Sequence, residues 1–128
     1  MDAIKVMLVD DQPVVVNALK MRFSLEPDIE VVGVANDAAS GIELAHTCAP
    51  DVVLMDVSMG EASGLWAASE LHDSLPGVPV IMLTMLDDAP TRMMARFAGA
   101  WGFVAKHEPE ERLLEAIRTA AATRSGVA

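Results

Sequence analysis

The sequence predicts an α/β domain in which five parallel strands form one sheet with helices on both faces, a doubly wound (βα)5 arrangement. Three observations support this prediction. Five short apolar runs recur along the 128 residues. These runs are continuously apolar rather than alternating, which is typical of strands buried on both faces. Segments with helical periodicity separate them, and right-handed crossovers leave few other topologies.

The predicted strands are the apolar runs themselves, each of a length common for buried strands. The first, IKVMLV, covers residues 4–9, and the second, IEVVGVA, covers residues 29–35. The remaining three runs are DVVLM at 51–55, PVIMLT at 79–84 and WGFVA at 101–105.

The predicted helices lie between the strands and after the last one. Residues 13–25 repeat apolar side chains at helical spacing, and Pro13 suits the first turn, where its missing N–H is not needed. Residues 109–122 show the same period. Gly99 is placed to end the fourth helix. The three middle helices are predicted over 38–48, 64–74 and 88–98.

Length and composition indicate one soluble domain, which we expect over residues 3–122, with 123–128 as a C-terminal tail or the start of a linker. The chain is 52% hydrophobic, yet no apolar run approaches the roughly 20 residues of a membrane helix. The first residues, MDAIKVMLVDD, do not resemble a secretory signal, and Cys48 is the only cysteine. We therefore expect a cytoplasmic location. The nine methionines are expected to fill gaps in the core.

The net charge of −10 argues against two classes of partner. Nucleic-acid binding needs clustered Lys and Arg to neutralise phosphates, and this chain has nine such residues, scattered along the sequence. The lack of a basic cluster also argues against anionic membranes. An acidic chain suits a metal cation or a basic partner.

Polar residues capable of chemistry follow four of the predicted strands. Asp10 and Asp11 follow the first strand, Asp56 follows the third, Thr84 closes the fourth, and Lys106 follows the fifth. Because the carboxyl ends of parallel strands open on one edge of the sheet, we expect these five side chains to converge there.

Clustered carboxylates need a proton or a cation, since two such charges about 4 Å apart repel by about 4 kcal/mol at an effective dielectric near 20. Oxygen ligands without nearby His or Cys favour Mg²⁺. A lysine and a threonine hydroxyl would supply a positive charge and a neutral donor to phosphoryl oxygens. A carboxylate can act as the nucleophile and form an acyl phosphate. The pattern predicts phosphoryl transfer to an aspartate.

An ordered set of motifs carries a family resemblance: VDD at 9–11, LMDVSMG at 54–60, Gly64, LT at 83–84 and GFVAK at 102–106. This set resembles the receiver domain of two-component response regulators, which has a flavodoxin-like fold, and the resemblance covers essentially the whole predicted domain. It implies a phosphorylation-activated signalling switch. The donor would be a sensor histidine kinase or a phosphotransfer protein.

The resemblance also implies a role for each matched residue. Asp56 would be the phosphoacceptor, with Thr84 and Lys106 binding the phosphoryl group. Phe103 would be the switch aromatic, turning inward as Thr84 moves. Mg²⁺ would be held by Asp10, Asp11, Asp56 and the backbone carbonyl of Ser58.

Two positions depart from the usual receiver pattern. Gly60 stands where the family usually has proline, which loosens the loop beyond Asp56. His107 stands where many receivers have proline after the lysine, and this style of fifth strand resembles the LuxR/NarL-type subfamily. We therefore expect the receiver part of a transcriptional response regulator, without a DNA-binding domain in these 128 residues. Gly60 and Gly64 are interpreted as loop residues flanking Asp56.

The expected partners follow from the same resemblance. The output face would comprise the last two helices and the fifth strand, with a homodimer forming on activation and Trp101 as a candidate contact. No nucleic acid and no membrane would bind through this domain. No enzymatic activity is expected beyond its own phosphorylation and aspartyl-phosphate hydrolysis.

Two alternatives stay open. One is a stand-alone or phosphorylation-independent receiver-like binding module. The other is a haloacid-dehalogenase-like phosphatase, which also uses an aspartate nucleophile, Mg²⁺, threonine and lysine. That family needs D-x-D-x-T after its first strand, whereas this chain has DDQPV.

Overall fold

The computed structural model describes residues 2–59, 63–85 and 88–125, so the predicted loop glycine Gly60 lies outside the described residues. Strands and helices alternate along these residues. Their bounds are β1 Ile4–Val9, α1 Pro13–Phe23, β2 Ile29–Ala35, α2 Ala38–Cys48, β3 Val52–Asp56, α3 Ser63–Ser74, β4 Val80–Thr84, α4 Ala89–Phe97, β5 Gly102–Ala105 and α5 Glu110–Ser125.

The strands form one parallel sheet in the order β2-β1-β3-β4-β5, which confirms the predicted fold. Every residue of β3 and β4 is buried, as their continuously apolar sequences predict. The chain runs outward from β1 to β2 and then returns to β3 on the other side of β1. This reversal opens a crevice at the carboxyl ends of β1 and β3, the position where such sheets bind ligands.

The sheet has a hydrophobic core on each face. On one face, β-strand side chains pack with Phe23 of α1 and with Leu113 and Ile117 of α5. The other face packs against α2, α3 and α4, with Leu71 and Ala95 among its buried residues. Each fully buried large side chain contributes about 1.5–3 kcal/mol. The helices thus divide between the two faces, with α1 and α5 on one face and α2, α3 and α4 on the other.

The bounds of α2 agree with the prediction, and the ends of the other helices differ from it by at most three residues. The caps explain two of the starts. The Asp37 carboxylate accepts the Ser40 N–H at 2.8 Å to cap α2, and Asp88 accepts the Thr91 N–H at 2.8 Å to cap α4. After α4, Gly99 has a φ of +87°, as expected of a glycine that ends a helix. The last helix, α5, continues to Ser125, so residues 123–125 are helical, while 126–128 lie outside the described residues.

The methionines occupy two environments, so the expectation that they fill the core is wrong for half of those described. Four are buried, and they are Met7, Met55, Met59 and Met82. Another four are exposed, and they are Met21, Met85, Met93 and Met94. Among the described helices, none is long and apolar enough to cross a membrane.

An ion-pair cluster joins α5 to the connection between α1 and β2. The Arg118 guanidinium donates two hydrogen bonds of 2.8 Å to the Asp28 carboxylate and one of 2.6 Å to Glu26 Oε1. The other oxygen of Glu26 accepts a bond of 2.7 Å from Arg22. These cations hold the pKa values of Glu26 and Asp28 below their ordinary range. The cluster therefore fixes the middle of α5 against the chain that leads into β2.

The loop interpretation of Gly64 is wrong, because Gly64 is the second residue of α3. A Cβ atom at this position would collide with the backbone carbonyl oxygens of Asp56 and Val57. Glycine is needed here because the first turn of α3 packs directly on the backbone at the end of β3. By contrast, a Cβ at Gly77 would meet nothing within 4 Å.

Gly64→Ala should lower the free energy of unfolding by about 1–3 kcal/mol, because backbone atoms must shift to admit the methyl group. Urea unfolding followed by circular dichroism measures this effect. Gly77→Ala is the matched control and should leave stability unchanged or slightly raised. Equal effects of the two substitutions would contradict the proposed close packing of α3 on β3.

Arg118→Ala should lower the free energy of unfolding at pH 7, and the difference from wild type should shrink as pH falls through the carboxyl range. A depressed pKa in the folded state contributes stability above the ordinary carboxyl pKa, and this contribution is lost as the carboxylates take up protons. Urea unfolding at pH 7 and at about pH 3 tests the sign. Arg112→Ala, whose ion pairs are longer at 3.7 Å, should have a smaller effect at pH 7. A difference between Arg118→Ala and wild type that stays constant with pH would contradict this interpretation of the cluster.

Candidate functional site

The register of the sheet brings the predicted site residues together at one edge. Val9 lies opposite Met55, which places the next residues, Asp10 and Asp56, side by side. The carboxylates of Asp10, Asp11 and Asp56 each offer an oxygen, and these oxygens lie within 4.8 Å of one another. Asp10 and Asp56 are buried, whereas Asp11 is exposed at the mouth of the site.

Lys106 supplies the positive charge in this cluster. Its Nζ lies 3.0 Å from Asp10 Oδ2 and 3.4 Å from Asp56 Oδ1, and it donates a hydrogen bond of 3.3 Å to Gln12 Oε1. The backbone N–H of Lys106 donates to the carbonyl of Thr84 at 2.6 Å. The backbone of the lysine is thus fixed to the end of β4, while its ammonium reaches the carboxylates at the ends of β1 and β3.

Burial raises the pKa of Asp56 above its ordinary value, and the nearby charge of Asp10 raises it further. Two groups act in the opposite direction. The Ser58 N–H donates to Asp56 Oδ1 at 3.1 Å, and Lys106 lies beside the same oxygen. The ionised form of Asp56 is therefore costly in this site, and a further cation would stabilise it.

The residues present fit a hard divalent cation. Asp10 Oδ2 is buried and accepts no hydrogen bond from the described residues, although it forms an ion pair with the Lys106 ammonium at 3.0 Å. The other oxygen of Asp10 accepts the Gln12 N–H at 2.9 Å. A carboxylate oxygen without a donor, within reach of two other carboxylates, is suited to Mg²⁺, which prefers oxygen ligands.

The two residues predicted to form the switch, Thr84 and Phe103, occupy different places in their strands. Thr84 is the last residue of β4 and is buried, and its backbone carbonyl accepts the Lys106 N–H. Phe103 lies within β5 and is half-buried, and the Arg92 guanidinium of α4 lies 4.7 Å from the centre of its ring. The structure therefore places Thr84 at the edge of the sheet that carries the site, and it places Phe103 beside Arg92 of α4.

Two residues of the site could not be found from sequence motifs. Gln12 contacts Lys106 through its side chain and Asp10 through its backbone. The Glu108 carboxylate accepts the backbone N–H of Ala105, directly before the lysine. Their proximity to the predicted residues in sequence was the only available signal.

Comparisons with known proteins identify relatives of similar sequence. The family model of the response regulator receiver domain matches residues 6–118. The transcriptional regulatory protein YxjL of Bacillus subtilis is 38% identical over 120 residues, which make up 94% of this chain and 55% of that protein. The oxygen regulatory protein NreC of Staphylococcus aureus is 40% identical over 117 residues, covering 90% of this chain and 54% of the relative. The chain thus spans about half the length of these curated relatives.

Solved structures show the same fold. A LuxR-family two-component response regulator from Aurantimonas sp. SI85-9A1 matches with a TM-score of 0.90 at 28% identity, over 96% of this chain and 88% of that one. The signal receiver domain of the response regulator NarL from Mycobacterium tuberculosis matches with a TM-score of 0.88 at 28% identity, over 94% and 98% of the two chains.

Proposed function

Because this chain belongs to the response regulator receiver family, we propose that it is a phosphorylation-activated signalling switch that accepts a phosphoryl group on Asp56. The observation that carries the proposal is the position of Lys106. Its ammonium lies between the buried carboxylates of Asp10 and Asp56, at the crevice of the sheet. A nucleophile, a cation site and a phosphoryl-binding ammonium thus meet at one point.

The chain's own residues can carry out phosphoryl transfer from a phosphohistidine. An oxygen of Asp56 attacks phosphorus as the P–N bond breaks, and the departing imidazole nitrogen keeps the electron pair. Lys106 then moves from its carboxylate partners to a phosphoryl oxygen, while the Thr84 hydroxyl donates to another. Both interactions favour the phosphorylated form over the free carboxylate.

The proposed metal site consists of Asp10, Asp11, Asp56 and the backbone carbonyl of Ser58. Mg²⁺ bound there would offset the repulsion among the carboxylates and the charge on the phosphoryl oxygens. Asp11, the exposed member, would meet the cation at the mouth of the site. Asp10, the buried member, offers the oxygen that accepts no hydrogen bond from the described residues.

The same site would hydrolyse the aspartyl phosphate, which resets the switch. Water attacks phosphorus, the bond to the Asp56 oxygen breaks, and that oxygen keeps the electron pair. We propose no enzymatic activity beyond this phosphorylation and hydrolysis. The match to the receiver family supports this assignment over a haloacid-dehalogenase-like phosphatase.

The proposed switch links Thr84 to Phe103. Moving a two-state equilibrium from 1:99 to 99:1 takes about 5.5 kcal/mol of differential contact. A charged hydrogen bond from Lys106 contributes about 1.5–3 kcal/mol, and one from the Thr84 hydroxyl adds to it. As Thr84 turns toward the phosphoryl group, Phe103 would turn inward and leave the Arg92 guanidinium, which now lies over its ring.

The proposed partners follow from exposed surfaces. The donor is a sensor histidine kinase or a phosphotransfer protein, and exposed apolar Val14 and Met85 lie near the site for it to contact. On the proposed output face, α4 exposes Met93, Met94 and Phe97, and we propose that this face forms a homodimer on activation. We propose no nucleic-acid or membrane binding through this domain.

The LuxR- and NarL-type structures among its relatives support a role as the receiver part of a transcriptional response regulator. A stand-alone or phosphorylation-independent receiver is the alternative.

The proposed homodimer can be tested by sedimentation of the protein with and without beryllofluoride and Mg²⁺. A protein that stays monomeric in both conditions would contradict the homodimer.

Asp56→Asn should abolish phosphorylation while leaving the fold intact, because the amide keeps the shape of the carboxylate but is not a nucleophile. Intact-protein mass after incubation with acetyl phosphate and Mg²⁺ should show one phosphoryl adduct on wild type and on the matched control Asp73→Asn, an exposed position of α3. An adduct on Asp56→Asn at wild-type yield would show that another residue is the acceptor. Absence of both the adduct and beryllofluoride binding in wild type would favour the phosphorylation-independent alternative.

Thr84→Ala should still accept a phosphoryl group on Asp56 but should no longer move Phe103. The nucleophile, Asp56, is unchanged in this variant. The Thr84 hydroxyl, which is proposed to link the phosphoryl group to the movement of the Phe103 ring, is removed. NMR chemical shifts of the Phe103 ring, with and without beryllofluoride and Mg²⁺, should change in wild type and stay constant in the variant. A Phe103 shift of wild-type size in Thr84→Ala would refute the coupling.

A further inference from the structure

The turn that carries Lys106 is closed by the side chain of Glu108. We propose that Glu108 is a positioning residue that fixes the Lys106 ammonium beside Asp56 by tying the end of β5 to the connection with α5. This inference rests on the proposed function, because the task assigned to Lys106 is to bind the phosphoryl group transferred to Asp56.

The end of β5 has a backbone donor that the sheet does not satisfy. β5 is an edge strand, paired only with β4. The Lys106 N–H donates toward β4, to the Thr84 carbonyl. Successive N–H groups of a strand point to opposite sides, so the Ala105 N–H points to the open edge. Ala105 is buried, and its N–H therefore needs an acceptor from the protein.

Glu108 provides that acceptor and receives a bond in return. Its Oε2 accepts the Ala105 N–H at 2.8 Å, and its own N–H donates to the Ala105 carbonyl at 3.0 Å. Two bonds between the same pair of residues close a ring around Lys106 and His107. On the other side of the turn, the Thr84 carbonyl holds Lys106. The lysine backbone is thus fixed from both directions.

A fixed backbone matters for this lysine because its four-carbon stem is flexible. The ammonium lies within 3.4 Å of two carboxylates only if the stem begins at a defined point. His107, unlike a proline, does not restrict its own φ angle. Glu108 therefore supplies a constraint that the local sequence lacks.

The other carboxylate oxygen of Glu108 lies near the Arg112 guanidinium. Glu108 Oε1 lies 3.7 Å from Arg112 Nε, one turn further along α5, which leaves Oε2 for Ala105. The Glu108 side chain is 23% exposed, whereas that of Arg112 is 52% exposed. The bond to Ala105 is thus the more protected of the two interactions, and we assign the positioning effect to it.

The test compares Glu108→Ala with Glu108→Gln, since glutamine keeps a carbonyl oxygen for the Ala105 N–H. Phosphorylation of Asp56 by acetyl phosphate at saturating Mg²⁺ should slow by about tenfold in Glu108→Ala and stay within about threefold of wild type in Glu108→Gln. Beryllofluoride affinity should fall by about the same factor as the rate in Glu108→Ala. Mg²⁺ affinity, measured by calorimetry without a phosphoryl mimic, should not fall, because Lys106 is not a metal ligand and a less fixed ammonium repels the cation less.

Glu111→Ala is the matched control, since it removes the same charge from an exposed position at the start of α5. It should leave all three measurements at wild-type values. If Glu108→Ala is poorly folded, Glu108→Met fills the same space without an acceptor and should show the same selective loss.

Each outcome separates this inference from the proposed function. A wild-type protein that takes up no phosphoryl group on Asp56 would overturn both. Normal phosphorylation of wild type, together with wild-type rate and beryllofluoride affinity in Glu108→Ala, would overturn the role of Glu108 alone. Equal losses of Mg²⁺ and beryllofluoride affinity would also overturn it, because they would indicate a general disturbance of the site.

Discussion

Three carboxylates lie close together at one edge of the sheet, and their mutual repulsion requires a compensating positive charge. Asp10 and Asp56 are buried side by side because β1 and β3 are neighbours and end together. The compensating charge comes from beyond β5, and β4 separates β5 from β3. Only a long, flexible side chain such as that of Lys106 can cover this distance, and a flexible side chain needs a fixed starting point.

The position of β5 explains how one short strand could serve both the candidate site and the proposed output face. Its last residue precedes the lysine, and Phe103 in its middle packs beside α4 under the Arg92 guanidinium. An edge strand has one neighbour, so a side chain on it can turn with less disturbance than one in β3 or β4, where every residue is buried. The ion-pair cluster around Arg118 meanwhile fixes the middle of α5. In the proposed switch, movement would therefore involve β5 and α4 rather than the middle of α5.

The sequence predicted the sheet well because each strand is a continuous apolar run with polar residues at its carboxyl end. The bounds of β1 and β2 agree with the prediction to the residue, and those of the other strands agree to within one residue. The same pattern predicted which polar side chains would converge, because a parallel sheet brings all strand ends to one edge. Other features depend on contacts between distant residues. Nothing near Gly64 in the sequence indicates that the Asp56 carbonyl would occupy the space of its Cβ. Exposed Met93 and Met94 resemble core residues until α4 is placed on the sheet.

Glu108 makes a local contact, with Ala105 three residues away, yet no motif predicts it, and it indicates what motif-based reasoning omits. A motif records groups that touch the reacting atoms, since their chemistry restricts the residue type. A positioning group has only to present an acceptor at the right place, so several residue types and several backbone solutions can serve. At the end of β5 the unsatisfied Ala105 N–H creates the need, and the Glu108 carboxylate meets it at 2.8 Å. The lysine that neutralises the buried carboxylates is therefore controlled by a residue that touches none of them. In this interpretation, the precision of the site depends on the hydrogen-bond requirement of an edge strand as much as on its charged side chains.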